Sequence, residues 1–86
     1  MKIKKELVLR ELAGDYALIP IGDTVLKDNG LFSLSETAAR IWELLPGAEG
    51  EEAIVDALLE EYEVDRPTLE KDVKEFLAQL RELEIL

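Results

Sequence analysis

The stretch Gly30–Leu45, GLFSLSETAARIWELL, decides the fold. A short apolar run, Leu31 to Leu34, passes through a Ser-rich joint into a pattern whose apolar positions 34, 38, 41, 42 and 45 share one helix face. The spacing predicts a strand that ends where a helix begins. Ser35 suits the N-cap, with Glu36 in the first turn at the positive end of the helix dipole. Ser33 with Glu36 also fits the S-x-x-E capping box, which would start the helix earlier. Pro46-Gly47 stops it. Phe32 and Trp42, the only Trp, fall on apolar periods and read as core rather than ligand-stacking groups.

Before this stretch the chain reads as strands. Two runs rich in Leu, Ile, Val and Tyr, roughly residues 6–13 and 16–21, are separated by Ala-Gly-Asp, and a β-hairpin turning at Gly14-Asp15 is expected. Pro20 has no N–H for a ladder and should end the second run or sit at an edge. Gly22-Asp23 and Asp28-Asn29-Gly30 mark further turns, with Thr24 to Lys27 a short extension between them. Leu31 to Leu34 is then the last strand.

After it the chain reads as helices. A second helix is expected from about Glu51 to Tyr62, burying Ile54, Val55, Leu58, Leu59 and Tyr62. A third begins near Arg66, with Asp65 as cap and Pro67 in the first turn, where a missing N–H is harmless. Its apolar stripe is Leu69, Val73, Phe76, Leu77, Leu80 and Leu83. The joint Glu63 to Asp65 has the length of a helix-turn-helix connection. The expected fold is therefore α+β: a three-stranded antiparallel sheet followed by three helices, winged-helix-like with the sheet first, in one domain spanning residues 1–86.

Composition narrows the function. With no Cys and no His, the usual zinc and haem ligands and the usual general base are missing, and no cofactor is implied. The hydroxyls of Thr24, Ser33, Ser35 and Thr37 have no activating base in the sequence nearby, and the glycines match no phosphate-cradling pattern, so no enzyme is expected. The start MKIKKELVL lacks the apolar core of a signal peptide and no apolar run is long enough to span a bilayer, which makes the cytoplasm the expected location. The whole net charge of −10 lies in Ser35–Leu86, where fifteen acidic residues face five basic ones. Such a surface repels phosphate backbones and anionic headgroups, so neither nucleic acid nor membrane is an expected partner.

Peptide capture fits better. Leu31 to Leu34 is short and comes last in the sheet; at an edge it could accept an extended chain through main-chain hydrogen bonds. The third helix would wall the other side, with one of two flanks. Lys74, Leu77 and Arg81 would suit an acidic peptide with apolar anchors and are preferred; Asp72, Gln79 and Leu83 form the alternative. The same open edge also invites a second copy, giving a homodimer, and the helix pair leaves room for a protein–protein adaptor or transcription-regulator-like domain.

At this point LVLREL, YALIPIG, NGLFSLSETAARIWELLPG, EAIVDALLEEYEVD and DVKEFLAQLRELEIL together resemble the PqqD-like family, the precursor-peptide recognition elements, chiefly at Gly30, Leu34, Ser35, Ile41 and Trp42. Members often carry Asn at the position of Ser35, and both residues cap helices well. The loop through TVLKDN is longer than in the quinone-pathway protein, a departure from that one pathway. The resemblance implies a non-catalytic module that grips the leader of a ribosomally made precursor peptide and presents it to a modifying enzyme, often a radical S-adenosylmethionine protein. It further implies that the leader adds beside the third strand, here Leu31, Phe32, Ser33 and Leu34, against the third helix.

Overall fold

The computed structural model describes residues 1–21 and 32–86. Strands β1 (Leu7–Leu12), β2 (Asp15–Pro20) and β3 (Phe32–Leu34) form an antiparallel sheet in the order β1-β2-β3. Helices α1 (Glu36–Leu44), α2 (Glu51–Glu61) and α3 (Arg66–Glu82) follow, with one 3₁₀ turn, Leu45–Gly47, after α1. This is the α+β architecture expected from the sequence. The readings placed on Thr24 to Lys27 and on Leu31 lie outside the described residues.

The hairpin turns one residue earlier than expected. Leu12 pairs with Asp15, so the two-residue loop is Ala13-Gly14, and both of its residues have positive φ, 52° and 89°. That is the backbone of a type I′ turn, whose twist matches the strands it joins. Asp15, read as a turn residue, is instead the first residue of β2. Pro20 is the last residue of β2, opposite Leu7, and its missing N–H costs the β1 ladder nothing, since the next donor toward β1 is the Ile21 N–H, which reaches the Glu6 carbonyl at 3.0 Å.

Side-chain caps resolve the starts of α1 and α3. The Ser35 hydroxyl accepts from the Ala38 N–H at 3.1 Å, so α1 starts at Glu36 and Ser33 stays in β3. The Asp65 carboxylate accepts from the Thr68 N–H at 3.3 Å and from the Thr68 hydroxyl at 2.9 Å, with Pro67 in the first turn. Between α1 and α2, the Arg40 guanidinium donates to both Glu61 oxygens, at 2.7 and 2.6 Å. Arg66 bridges the start of α3 to Asp56 on α2.

The core lies between the sheet and the helices, built from Leu18, Ile41, Trp42, Leu45, Ile54, Val55, Leu58, Leu69, Val73, Phe76, Leu77, Leu80 and Ile85. Trp42 is therefore packing, as its period indicated. Leu59 and Tyr62, expected inside, are half-buried at its margin. The stripe of α3 also breaks earlier than its spacing suggests: Leu83 is 41% exposed and Ile85 is fully buried. The cause is the helix end. Glu84 takes φ 60°, the Ile85 N–H returns to the Leu80 carbonyl at 2.8 Å, and the Glu84 N–H reaches the Arg81 carbonyl at 3.0 Å. This paired closure turns Ile85 back under the helix. There its carbonyl accepts from the Lys4 N–H at 2.7 Å, tying the chain's first residues to its last.

Candidate functional site

The site begins with the edge of β3. Tyr16, Ala17 and Leu18 of β2 pair with Leu34, Ser33 and Phe32, and β3 is the last strand in the sheet. Among the described residues, no backbone hydrogen bond other than those to β2 engages Phe32–Leu34. In an antiparallel strand the N–H and C=O groups of alternate residues point away from the neighbour, so this edge presents main-chain donors and acceptors outward.

Beside the edge lies a groove of about 460 Å³, lined by Ser33, Leu34, Ser35, Thr37, Ala38 and Ile41 on one side and Asp72, Glu75, Phe76 and Gln79 on the other. Its apolar floor comes from Leu34 and Ala38, both half-buried, with Ile41 and Phe76 from the core. The rims are polar. The joint that the Ser35 cap fixes is what brings β3 and α1 together on one wall, and α3 supplies the facing wall. An extended segment laid here could pair with β3 by its backbone and seat alternate side chains on the floor.

The structure does not bring the preferred flank of α3 together with β3. Leu77 is fully buried in the core and faces no groove. Lys74 stands on the far side of the helix, in a hollow it shares with Glu51, Glu52, Val55, Glu70 and Lys71. Arg81 pairs with Glu51 of α2 at 3.7 Å. Thus Ser33 and Leu34 are brought together with Asp72 and Gln79, the flank set second, and not with Lys74, Leu77 and Arg81. Leu83, grouped with that second flank, is past the helix's last turn and does not line the groove. Glu75 and Phe76 went unread as site residues. A charge signal lay outside the helical wheel: Asp72, Glu75 and Gln79 fall at i, i+3 and i+7, one continuous flank, while the acid-rich α2 suits the basic flank Lys71, Lys74 and Arg81.

Electrostatically the two flanks differ in kind. The cations of α3 all lie toward α2 or at its start, where Arg66 also reaches Glu70 at 3.4 Å. Asp72 and Glu75 are exposed and make no ion pair among the described residues. Elsewhere Glu61 is held below the usual carboxylate range by its hydrogen bonds with Arg40, and Asp65 likewise by the Thr68 hydroxyl and N–H. No three acidic residues among those described converge as a metal site would require. No helix among them is long and apolar enough to cross a membrane.

A sheet edge beside a helix-walled groove is a binding geometry, and comparison gives it a lineage. The family model for coenzyme PQQ synthesis protein D (PqqD) matches residues 8–86. This chain belongs to the PqqD family. Among solved structures, the PqqD-family chain is similar to TbiB1 in complex with the TbiA(beta) leader peptide. The two are 37% identical, with a TM-score of 0.73, covering all of this chain (100%) and 94% of that one. It also shares its fold with lasso peptide synthetase B1 complexed with a leader peptide, at 22% identity and a TM-score of 0.70, over 94% of this chain and 89% of that one. No curated protein matches it significantly.

Proposed function

We propose that this protein is a non-catalytic recognition element that captures the leader of a ribosomally made precursor peptide by adding it as a fourth strand to β3. The observation that carries this reading is the edge of Phe32–Leu34, unpaired among the described residues and opening onto the groove walled by α3. Family membership supports it, as does a 37%-identical relative solved with a leader peptide. The module then presents the bound precursor to a modifying enzyme; a radical S-adenosylmethionine protein is the type that the family resemblance implies. Holding a flexible substrate by its leader makes delivery of the remainder effectively intramolecular, at up to about millimolar local concentration for a short linker. Affinity on the order of micromolar is enough, and it leaves release possible.

Alternate phases of β3 give the test. Of Phe32→Pro and Ser33→Pro, one removes an N–H directed at β2 and the other removes an N–H on the open edge. Peptides selected from a display library should bind the wild-type chain and fail to bind whichever of the two variants keeps its circular dichroism and melting temperature. Selected peptides that bind both proline variants unchanged would place capture elsewhere.

A further inference from the structure

We propose that the groove beside β3 selects a cationic segment, one that sets apolar side chains on the floor of Leu34, Ile41 and Phe76 and Lys or Arg side chains against Asp72 and Glu75. This rests on strand addition as the mode of capture and adds the chemistry of what is captured.

The basis is how α3 divides its charges. Of its four cations, Arg66 is spent on Asp56 and Glu70, Arg81 on Glu51, and Lys71 and Lys74 stand among Glu51, Glu52 and Glu70. Every one is turned to acidic groups of the protein itself. The opposite flank carries Asp72 and Glu75 one helical turn apart, with no cation among the described residues lining the groove. Two like charges at that spacing repel each other on a helix surface, and a ligand cation between them removes the repulsion. The polar groups on the facing rim, Ser33, Ser35 and Thr37, are neutral and cannot do this.

The site points to a ligand independently of these carboxylates. The edge of β3 offers its main chain outward, the floor is apolar, and TbiB1 was solved with a leader peptide. What the carboxylates add is a sign. A segment bearing Glu or Asp opposite α3 meets like charge, and the field of Ser35–Leu86, with fifteen acidic residues to five basic, opposes its approach as well. A segment bearing Lys or Arg gains on both counts. Discrimination then comes as much from refusing acidic segments as from binding basic ones.

A random-peptide display library panned on the wild-type chain, followed by binding assays on Asp72→Asn/Glu75→Gln, tests this. Both residues are exposed, so the double variant should keep its fold by circular dichroism. Captured sequences should show Lys and Arg enriched over Asp and Glu beside their apolar residues. Synthetic copies should bind the double variant roughly two- to fivefold more weakly per carboxylate lost, with the gap narrowing as salt is raised. Peptides that are lost on proline substitution in β3, yet carry no basic excess or bind the double variant equally, overturn cationic selection and leave strand addition standing. Failure to capture any sequence, or capture that survives both prolines, overturns strand addition itself and this inference with it.

Discussion

Ala13 holds a left-handed backbone, φ 52°, at the first position of a turn that favours Asn or Gly. An L-residue with a Cβ pays roughly 1–2 kcal/mol there, and Asn pays less because its short polar side chain bonds locally. Ala13→Asn should therefore raise stability by about 0.5–1 kcal/mol, read as a shift in the urea midpoint with an unchanged slope. At Asp65 the folded carboxyl is held low by Thr68, so its contribution is present above the unfolded value near ~4 and is lost as pH falls through the folded value. Asp65→Asn keeps a capping side chain but cannot titrate. Its melting temperature should fall less steeply than that of the wild type on acidification from pH ~5 to ~3, as measured by thermal scans. An identical acid limb in both would show that the cap is not coupled to the proton.

The elements show what could be read from the chain and what could not. Hairpin, caps and the α3 stripe were legible because each is set by neighbours within a turn or two: the Ser35 hydroxyl with the Ala38 N–H, the Asp65 carboxylate with Thr68, Leu69 to Leu80 at helical spacing. The turn at Ala13-Gly14 was missed by one residue because Gly14-Asp15 carries the commoner turn residues while register is set across the whole ladder. The flank of α3 that meets β3 was not legible from a helical wheel. A wheel fixes angles between residues but not the direction from which α2 approaches, and α2 takes the side bearing Lys74 and Arg81. Leu77→Ala should accordingly cost about 2–5 kcal/mol of folding stability as a core cavity, seen in denaturant unfolding. Lys74→Glu, by contrast, should leave the affinity of a captured peptide within about twofold, since an exposed charge on the far side of the helix is screened from the groove. A loss of tenfold or more would return the ligand to the flank facing α2.

At the scale of the whole molecule, the division of labour is between a closed interior and the rim of the sheet at β3. A net charge of −10 on 86 residues keeps the surface repulsive to polyanions, and the helices bury their apolar faces on one core. The sheet has two outer strands, β1 and β3, and among the described residues the groove with an apolar floor lies beside β3. That groove is why the proposal places a guest strand at β3. On the proposed mode of capture, the side-chain contacts that α3 offers would add to what the described ladder of Phe32–Leu34 supplies. The most direct measurement is amide hydrogen exchange on the chain with and without a captured peptide. Strand addition predicts new protection at alternate amides of Phe32–Leu34 and none along Leu7–Leu12. Protection gained at β1 instead, or confined to the hollow around Lys71 and Lys74, would contradict it.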